Sequence, residues 1–269
     1  MKEVLYDKKA DAHIRCAQIA QIEERILVKL VLPKEHGTWM MFLLPYVLGM
    51  AFSGPKWIHL PLFIGWFFIY LSMTPWLAQL RNSSLVREMR PWALSYTAIG
   101  LAFALPVVAF FPELLWLTVV ALPCFAVNLT FLRKKNERHM LNDICGVAIF
   151  SLGSVAAYTV GRGALTGQAW QLFAIVTLYF VGTSFYVKSL IRERKNDTFR
   201  KKSHIFHAVL LALPLLTGYG TVAWAYLPGT VKDWFTPRGK RLAPLKIGLI
   251  EIANGIVFFI LLFGLTSLS

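Results

Sequence analysis

Residues 186–207 read YVKSLIRERKNDTFRKKSHIFH, the densest polar stretch in an otherwise apolar chain. Lys188, Arg192, Arg194, Lys195, Arg200, Lys201 and Lys202 crowd into it, and a long apolar run lies on either side. The whole chain of 269 residues is 57% hydrophobic and only 16% charged, with a mean hydropathy of +0.56. A soluble domain carries about 25% charged residues. A basic loop between two such runs therefore reads as a topological anchor held on the cytoplasmic face of a membrane.

Outward from this loop, apolar segments recur near 38–54, 58–80, 92–111, 113–132, 141–161, 168–189, 205–227 and 246–267. Each approaches the roughly 20 residues that a helix needs to cross a hydrocarbon core of about 30 Å. Unpaired backbone groups cost several kcal/mol each in lipid, so these segments are helices. The expectation is an all-α polytopic membrane helix bundle with about eight transmembrane helices. With the N-terminus inside, the inner segments carry 21 of the 28 Lys and Arg residues, a bias that places both the N-terminus and the C-terminus in the cytoplasm. The segment 228–246 is the exception, with five basic residues on the expected outer side: either a small external cap or the sign of a miscounted helix.

Residues 1–32 read as a cytoplasmic N-terminal extension. Ile19, Ile22, Ile26 and Leu30 recur at the spacing of an amphipathic surface helix, though a plain linker fits the same residues. Residues 33–269 form the transmembrane domain. The net charge of +14 is explained by positive loops rather than by nucleic acid, since no basic stripe with interleaved aromatics lies outside them. Cys16, Cys124 and Cys145 give neither a disulfide framework nor a C-x-x-C metal signature.

Several polar residues could carry chemistry. Lys34 and His36 precede the first span and read either as an ordinary helix start or as cations offered to an anionic headgroup. Arg81 and Arg87, with Asn82 between them, follow the second span, and Arg133 and Lys134 follow the fourth. Asp143 opens the fifth span, either as a helix N-terminal carboxylate or as a catalytic or ligand group. Glu193 and Asp197 stand four apart in the opening stretch, beside Lys188, Arg192 and Lys202. His204 and His207 stand three apart, a spacing that can bind a metal, but no third ligand has fixed spacing to them, so no metal site is predicted. Glu251 and Asn254 share one face of the last helix, where Glu251 is expected near the outer side, paired with Lys246 or an outer-loop Arg.

The run PKEHGTWMMFLLPYVLG, from Pro33 to Gly49, resembles the opening of the YwiC-like family of bacterial integral membrane proteins. The resemblance covers roughly residues 31–265 and implies a multi-span protein of a bacterial cell membrane, without an established activity. A weaker likeness concerns the UbiA superfamily of intramembrane prenyltransferases, whose site is formed by the loops after the second, fourth and sixth helices. Phe131-Leu132-Arg133-Lys134 is similar to that superfamily's aromatic-and-basic stretch, and Glu193-x-x-x-Asp197 with Lys202-Ser203 is similar to its second acidic motif. This likeness implies Mg2+ and an isoprenoid diphosphate; no cofactor is otherwise evident. Where the first acidic motif should stand, between Gln79 and Glu88, only Glu88 is acidic. Holding two hard cations needs several carboxylates.

The sequence thus predicts a membrane protein with a cytoplasm-facing basic cavity for an anionic lipid or isoprenoid-phosphate-like ligand. Arg81 and Arg87 would line one side, with Lys188 and Arg192 on the other, meeting phosphate without a metal. Two readings follow: a divergent UbiA-like prenyltransferase lacking its first acidic motif, with Asp143, Glu193 and Asp197 as candidate catalytic groups, or a non-catalytic transporter or lipid-binding protein.

Overall fold

The computed structural model describes residues 31–33, 36–237 and 242–266, and those residues fold into helices joined by short connections. In chain order they are α1 His36–Ser53, α2 His59–Arg81, α3 Val86–Phe110, α4 Leu117–Arg133 and α5 Met140–Arg162. Then come α6 Gly167–Ile191, α7 Asp197–Leu216, α8 Gly220–Phe235 and α9 Pro244–Thr266. Helices α2 to α6 and α9 are long and apolar enough to cross a membrane, and α1 is a shorter apolar helix. The chain is a polytopic helical membrane bundle. The amphipathic helix expected before residue 30 and the residue Lys34 lie outside the described residues, as does the side chain of His36.

Seven of the nine helices among the described residues follow expected apolar runs, and the difference falls near the C-terminus. The run 205–227 is not one span. It breaks at Thr217–Tyr219, where Gly218 takes φ +84°, a left-handed conformation that suits a residue without a Cβ. The chain then turns back as α8, which continues to Phe235 through residues expected to form an outer loop. The apolar run hid the break because Leu213, Leu215 and Leu216 before it and Val222 and Ala223 after it keep the average hydropathy high across Thr217–Gly220.

This added helix reverses the register of everything after it. Phe52 meets Phe263 with ring centres 5.3 Å apart, and Gly255 lies against Met40, so α1 and α9 run parallel. The start of α1 and the end of α9 therefore lie at opposite ends of the bundle. The connections at 82–85, 134–139 and 192–196, with the end of α8 and the start of α9, share one end, called here the basic end; those at 54–58, 111–116, 163–166 and 217–219 share the other.

Helices α5 and α6 are the most buried and form the centre. α1 lies against α5 at very short range: a Cβ on Gly49 would stand 2.3 Å from the Ser154 carbonyl oxygen. Small residues permit this approach where no hydrophobic force separates helix from lipid. His59 fastens the far end. Its Nε2 lies 3.0 Å from the Ala157 carbonyl oxygen, and its own carbonyl accepts a 2.6 Å hydrogen bond from the Tyr46 hydroxyl. Phe42, Phe63, Trp66 and Tyr70 fill the space between α1 and α2 with stacked and tilted rings. On the outside, Leu105, Phe110, Leu122, Leu216, Trp224 and Ile260 are exposed, a lipid-facing surface.

Gly49→Ala is expected to destabilise the protein by about 1–3 kcal/mol, because backbone rather than a side-chain tip must move. Gly248→Ala on α9, with nothing within 4 Å of the added methyl, serves as the neutral control. Thermal unfolding in detergent, followed by tryptophan fluorescence, measures the difference.

Candidate functional site

Helices α6 to α9 turn a set of polar side chains toward one another near the basic end. Each helix buries a stripe at helical spacing, and the stripes contain groups that lipid-embedded helices rarely bury without partners. On α7 the stripe is Ser203, His207, Leu210 and Pro214. On α8 it ends in Gly229, Thr230 and Asp233, and on α9 it includes Glu251, Asn254 and Phe258. The Asn196 side chain starts α7 by accepting from the Phe199 N–H at 3.0 Å, which sets the rotation that points Ser203 and His207 inward.

Asp233 is fully buried. Its Oδ1 accepts a 2.8 Å hydrogen bond from Ser203 Oγ. Its Oδ2 lies 2.6 Å from His204 Nδ1 and 3.5 Å from His207 Nδ1. His207 Nδ1 also lies 2.9 Å from the Ser203 carbonyl oxygen. These oxygens accept, so each ring carries its hydrogen on Nδ1, and His207 Nε2 is left toward Gly182 of α6.

One residue earlier on α8, Lys232 Nζ stands 2.5 Å from Glu251 Oε1 and 4.2 Å from the centre of the Tyr186 ring. Glu251 Oε2 is buried without a hydrogen bond among the described residues, although the Thr183 hydroxyl is its neighbour. Asn254, less than one turn further along α9, donates from Nδ2 to the Tyr179 hydroxyl at 2.8 Å. Tyr179, Thr183, His207, Lys232 and Asn254 line a small cavity on the order of one water molecule in size. The arrangement combines a buried ion pair, a carboxylate shared by two imidazoles and a water-sized polar space. It can hold and exchange protons or bind a small ion; it is too small to enclose a lipid phosphate.

The residues singled out in the sequence gather differently. Arg81 pairs with Glu137, and Lys188 donates to the Arg138 carbonyl oxygen at 2.8 Å while pairing with Asp143 Oδ2 at 2.6 Å. The end of α2, through Arg81, and the last turns of α6, through Lys188, therefore both meet the connection 134–139. Two of the four cations expected to line an anion cavity already have carboxylate partners. Arg87, Arg133, Lys134, Arg192 and Lys202 are exposed at the same end, and Asn82 accepts from the Ser84 N–H to start the short turn that leads into α3.

The carboxylates that the prenyltransferase likeness would use do not assemble. Glu193 accepts from Asn196 Nδ2 at 2.8 Å, and Asp197 pairs with Arg200 at 3.1 Å in the exposed first turn of α7. Among the described residues no group of three or more His, Cys, Asp or Glu side chains is arranged to hold a metal ion.

The expectation for Glu251 is corrected. The extra helix brings it to the basic end, and its partner is Lys232 rather than Lys246 or an outer-loop Arg. Lys232 and Asp233 had no part in the expected site because they fall in the run 228–246. The signal that pointed to them was the excess of positive charge on the expected outer side, which marked a missing crossing.

A family model described as YwiC-like protein matches residues 32–158. The chain is 39% identical over 231 residues to the uncharacterized protein YwiC of Bacillus subtilis (strain 168), covering 86% of this chain and 96% of that one. It is 34% identical over 235 residues to an uncharacterized protein of Haemophilus influenzae (strain ATCC 51907 / DSM 11121 / KW20 / Rd), covering 87% and 98% respectively. No solved structure matches. With relatives of this identity spanning nearly their full lengths, the chain belongs to the YwiC-like family.

Proposed function

We propose that the protein is a non-catalytic, transporter-type membrane protein of the bacterial cell membrane. Its polar core between α6 and α9 binds a small ion or small polar solute. The observation that carries this reading is the Lys232–Glu251 pair, buried inside helices beside Asp233, His207 and a water-sized cavity. Charges are costly in such surroundings and are kept where a path or a ligand needs them. Apolar residues could replace such buried carboxylates without loss of stability, so their presence points to a use beyond stability.

The basic end faces the cytoplasm in this reading. With α8 counted as a crossing, the connection 236–243 joins that end, and only Lys56 and Arg162 remain as basic residues in connections at the other. That is a stronger inside-positive bias than eight spans give. The end of α9 then faces outward, so the expectation of two cytoplasmic termini is replaced by one on each side.

A second reading keeps the anionic-ligand role for the basic end. The meeting of the ends of α2 and α6 on the connection 134–139 favours it, with Arg87, Arg133, Lys134, Arg192 and Lys202 exposed at the same end as the Arg81–Glu137 and Lys188–Asp143 pairs. The ligand would be an anionic lipid or isoprenoid phosphate lying on this face, met by charge-assisted hydrogen bonds.

Three measurements separate these readings. In a variant with its native cysteines replaced, Pro237→Cys is expected to react with a membrane-impermeant maleimide only after the cells are opened, and Gly218→Cys before; the reverse pattern overturns the orientation. A panel of inorganic ions and small polar metabolites, scanned by thermal shift in detergent, is expected to include a stabilising species. At a concentration 100 times its Kd such a species adds about 2.7 kcal/mol. Asn254→Ala is expected to abolish the shift while leaving the unliganded Tm within a few degrees. Mass spectrometry of lipids retained by the wild type and by Arg81→Ala/Arg192→Ala is expected to give matching profiles. Loss of a phosphorylated lipid from the variant, with no stabilising solute, favours the second reading over the first.

A further inference from the structure

We propose that His204 and His207 form a two-site proton store on Asp233, holding one exchangeable proton that sits either on the surface-facing ring or on the ring at the cavity. The geometry rests on a single oxygen. Asp233 Oδ2 is 2.6 Å from His204 Nδ1 and 3.5 Å from His207 Nδ1, so both rings lean on one carboxylate. With each Nδ1 already carrying hydrogen toward an acceptor, a further proton can add only at Nε2. A lone pair there forms one N–H bond as an O–H bond of a hydronium ion breaks and leaves water; release reverses both changes. Burial opposes a charge on His207, and the Asp233 carboxylate attracts either imidazolium. Both together are disfavoured, because two cations within 3.5 Å of one oxygen in a poorly screened interior repel.

The two rings differ in what they meet. His204 has 29% of its side chain exposed near the start of α7, whereas His207 is buried and lines the cavity. The groups that face His207 come from every helix packed around it. Ser203 and His204 are on its own helix, Tyr179 and Thr183 on α6, Lys232 and Asp233 on α8, and Asn254 on α9 with Glu251 behind Lys232. A Cβ at Gly182 would lie 3.2 Å from His207 Nε2, so that position holds open the space beside the nitrogen. A neutral His207 offers the cavity a lone pair; a protonated one offers an N–H donor. Where the proton sits therefore changes what the cavity binds. This use of the store rests on the transport reading, whereas the store itself does not.

The test uses the full chain in detergent micelles with 15N-labelled histidine rings, assigned by the signals lost in His204→Gln and in His207→Gln. The two rings of the wild type are expected to take up about one proton between them, rather than two, across about pH 5 to 8. In His204→Gln the His207 ring is expected to titrate alone, at a midpoint different from its wild-type one. His204 is partly exposed, so this variant keeps the fold even if His207→Gln does not. A His207 ring whose signals stay constant through that range overturns the proposal, as does independent uptake of two protons. A constant His207 with a solute that still stabilises the protein sinks the proton store and leaves transport standing. A shared titration with no stabilising solute sinks the transport reading and leaves the store.

Discussion

A charged side chain inside a helix bundle in lipid must find a partner within the bundle, and this requirement organises the C-terminal half of the protein. Removing Lys232 or Glu251 from water costs several kcal/mol per ion, and only close pairing offsets it. The 2.5 Å contact between them fixes how α8 and α9 slide along each other. Asp233 does the same for α7 and α8 through Ser203 and the two histidines. Three helices are thus held in register by six polar residues near one end. Below them, Tyr226 and Tyr179 stack against Phe258 and fill the remaining space with apolar contact.

The N-terminal half uses a different device. α1 and α5 approach so closely at Gly49 that backbone meets backbone, and α2 and α3 meet in the same way at Gly65 and Gly100. Such contacts gain van der Waals energy over a large area without burying a charge. The polar groups of this half sit at its rim, where His59 and Tyr46 satisfy backbone carbonyls. Association by small residues gives a stiff scaffold, and the ion pairs give the half that can change charge state. Both halves meet on α5 and α6, which explains why those helices are the most buried.

The basic end joins the halves a second time. Arg81–Glu137 and Lys188–Asp143 link connections that belong to α2, α4, α5 and α6. Asn128 adds to this link by donating from Nδ2 to the Asn142 side-chain and carbonyl oxygens. These contacts account for Asp143 and Asn128 as groups that hold helix ends together. Exposed pairs such as Arg81–Glu137 contribute little to stability. The pair at Lys188 is buried on the lysine side and contributes more to holding α5 against α6.

The sequence by itself determined the fold class, the apolar character of the helices and the positions of the first six to within two turns at either end. Those features depend on local composition and period, which lipid enforces on each segment separately. His204, His207, Glu251 and Asn254 stood out for the same reason, as polar groups at helical spacing beside apolar ones. Only the tertiary structure decided that the run 205–227 turns back at Gly218, because a break inside a uniformly apolar stretch leaves no trace in hydropathy. That single turn moved Lys232 and Asp233 from an outer loop into the bundle and carried Glu251 from one end to the other. Which charge neutralises which depends on distances between helices far apart in the chain, and the pattern along any one helix cannot specify them.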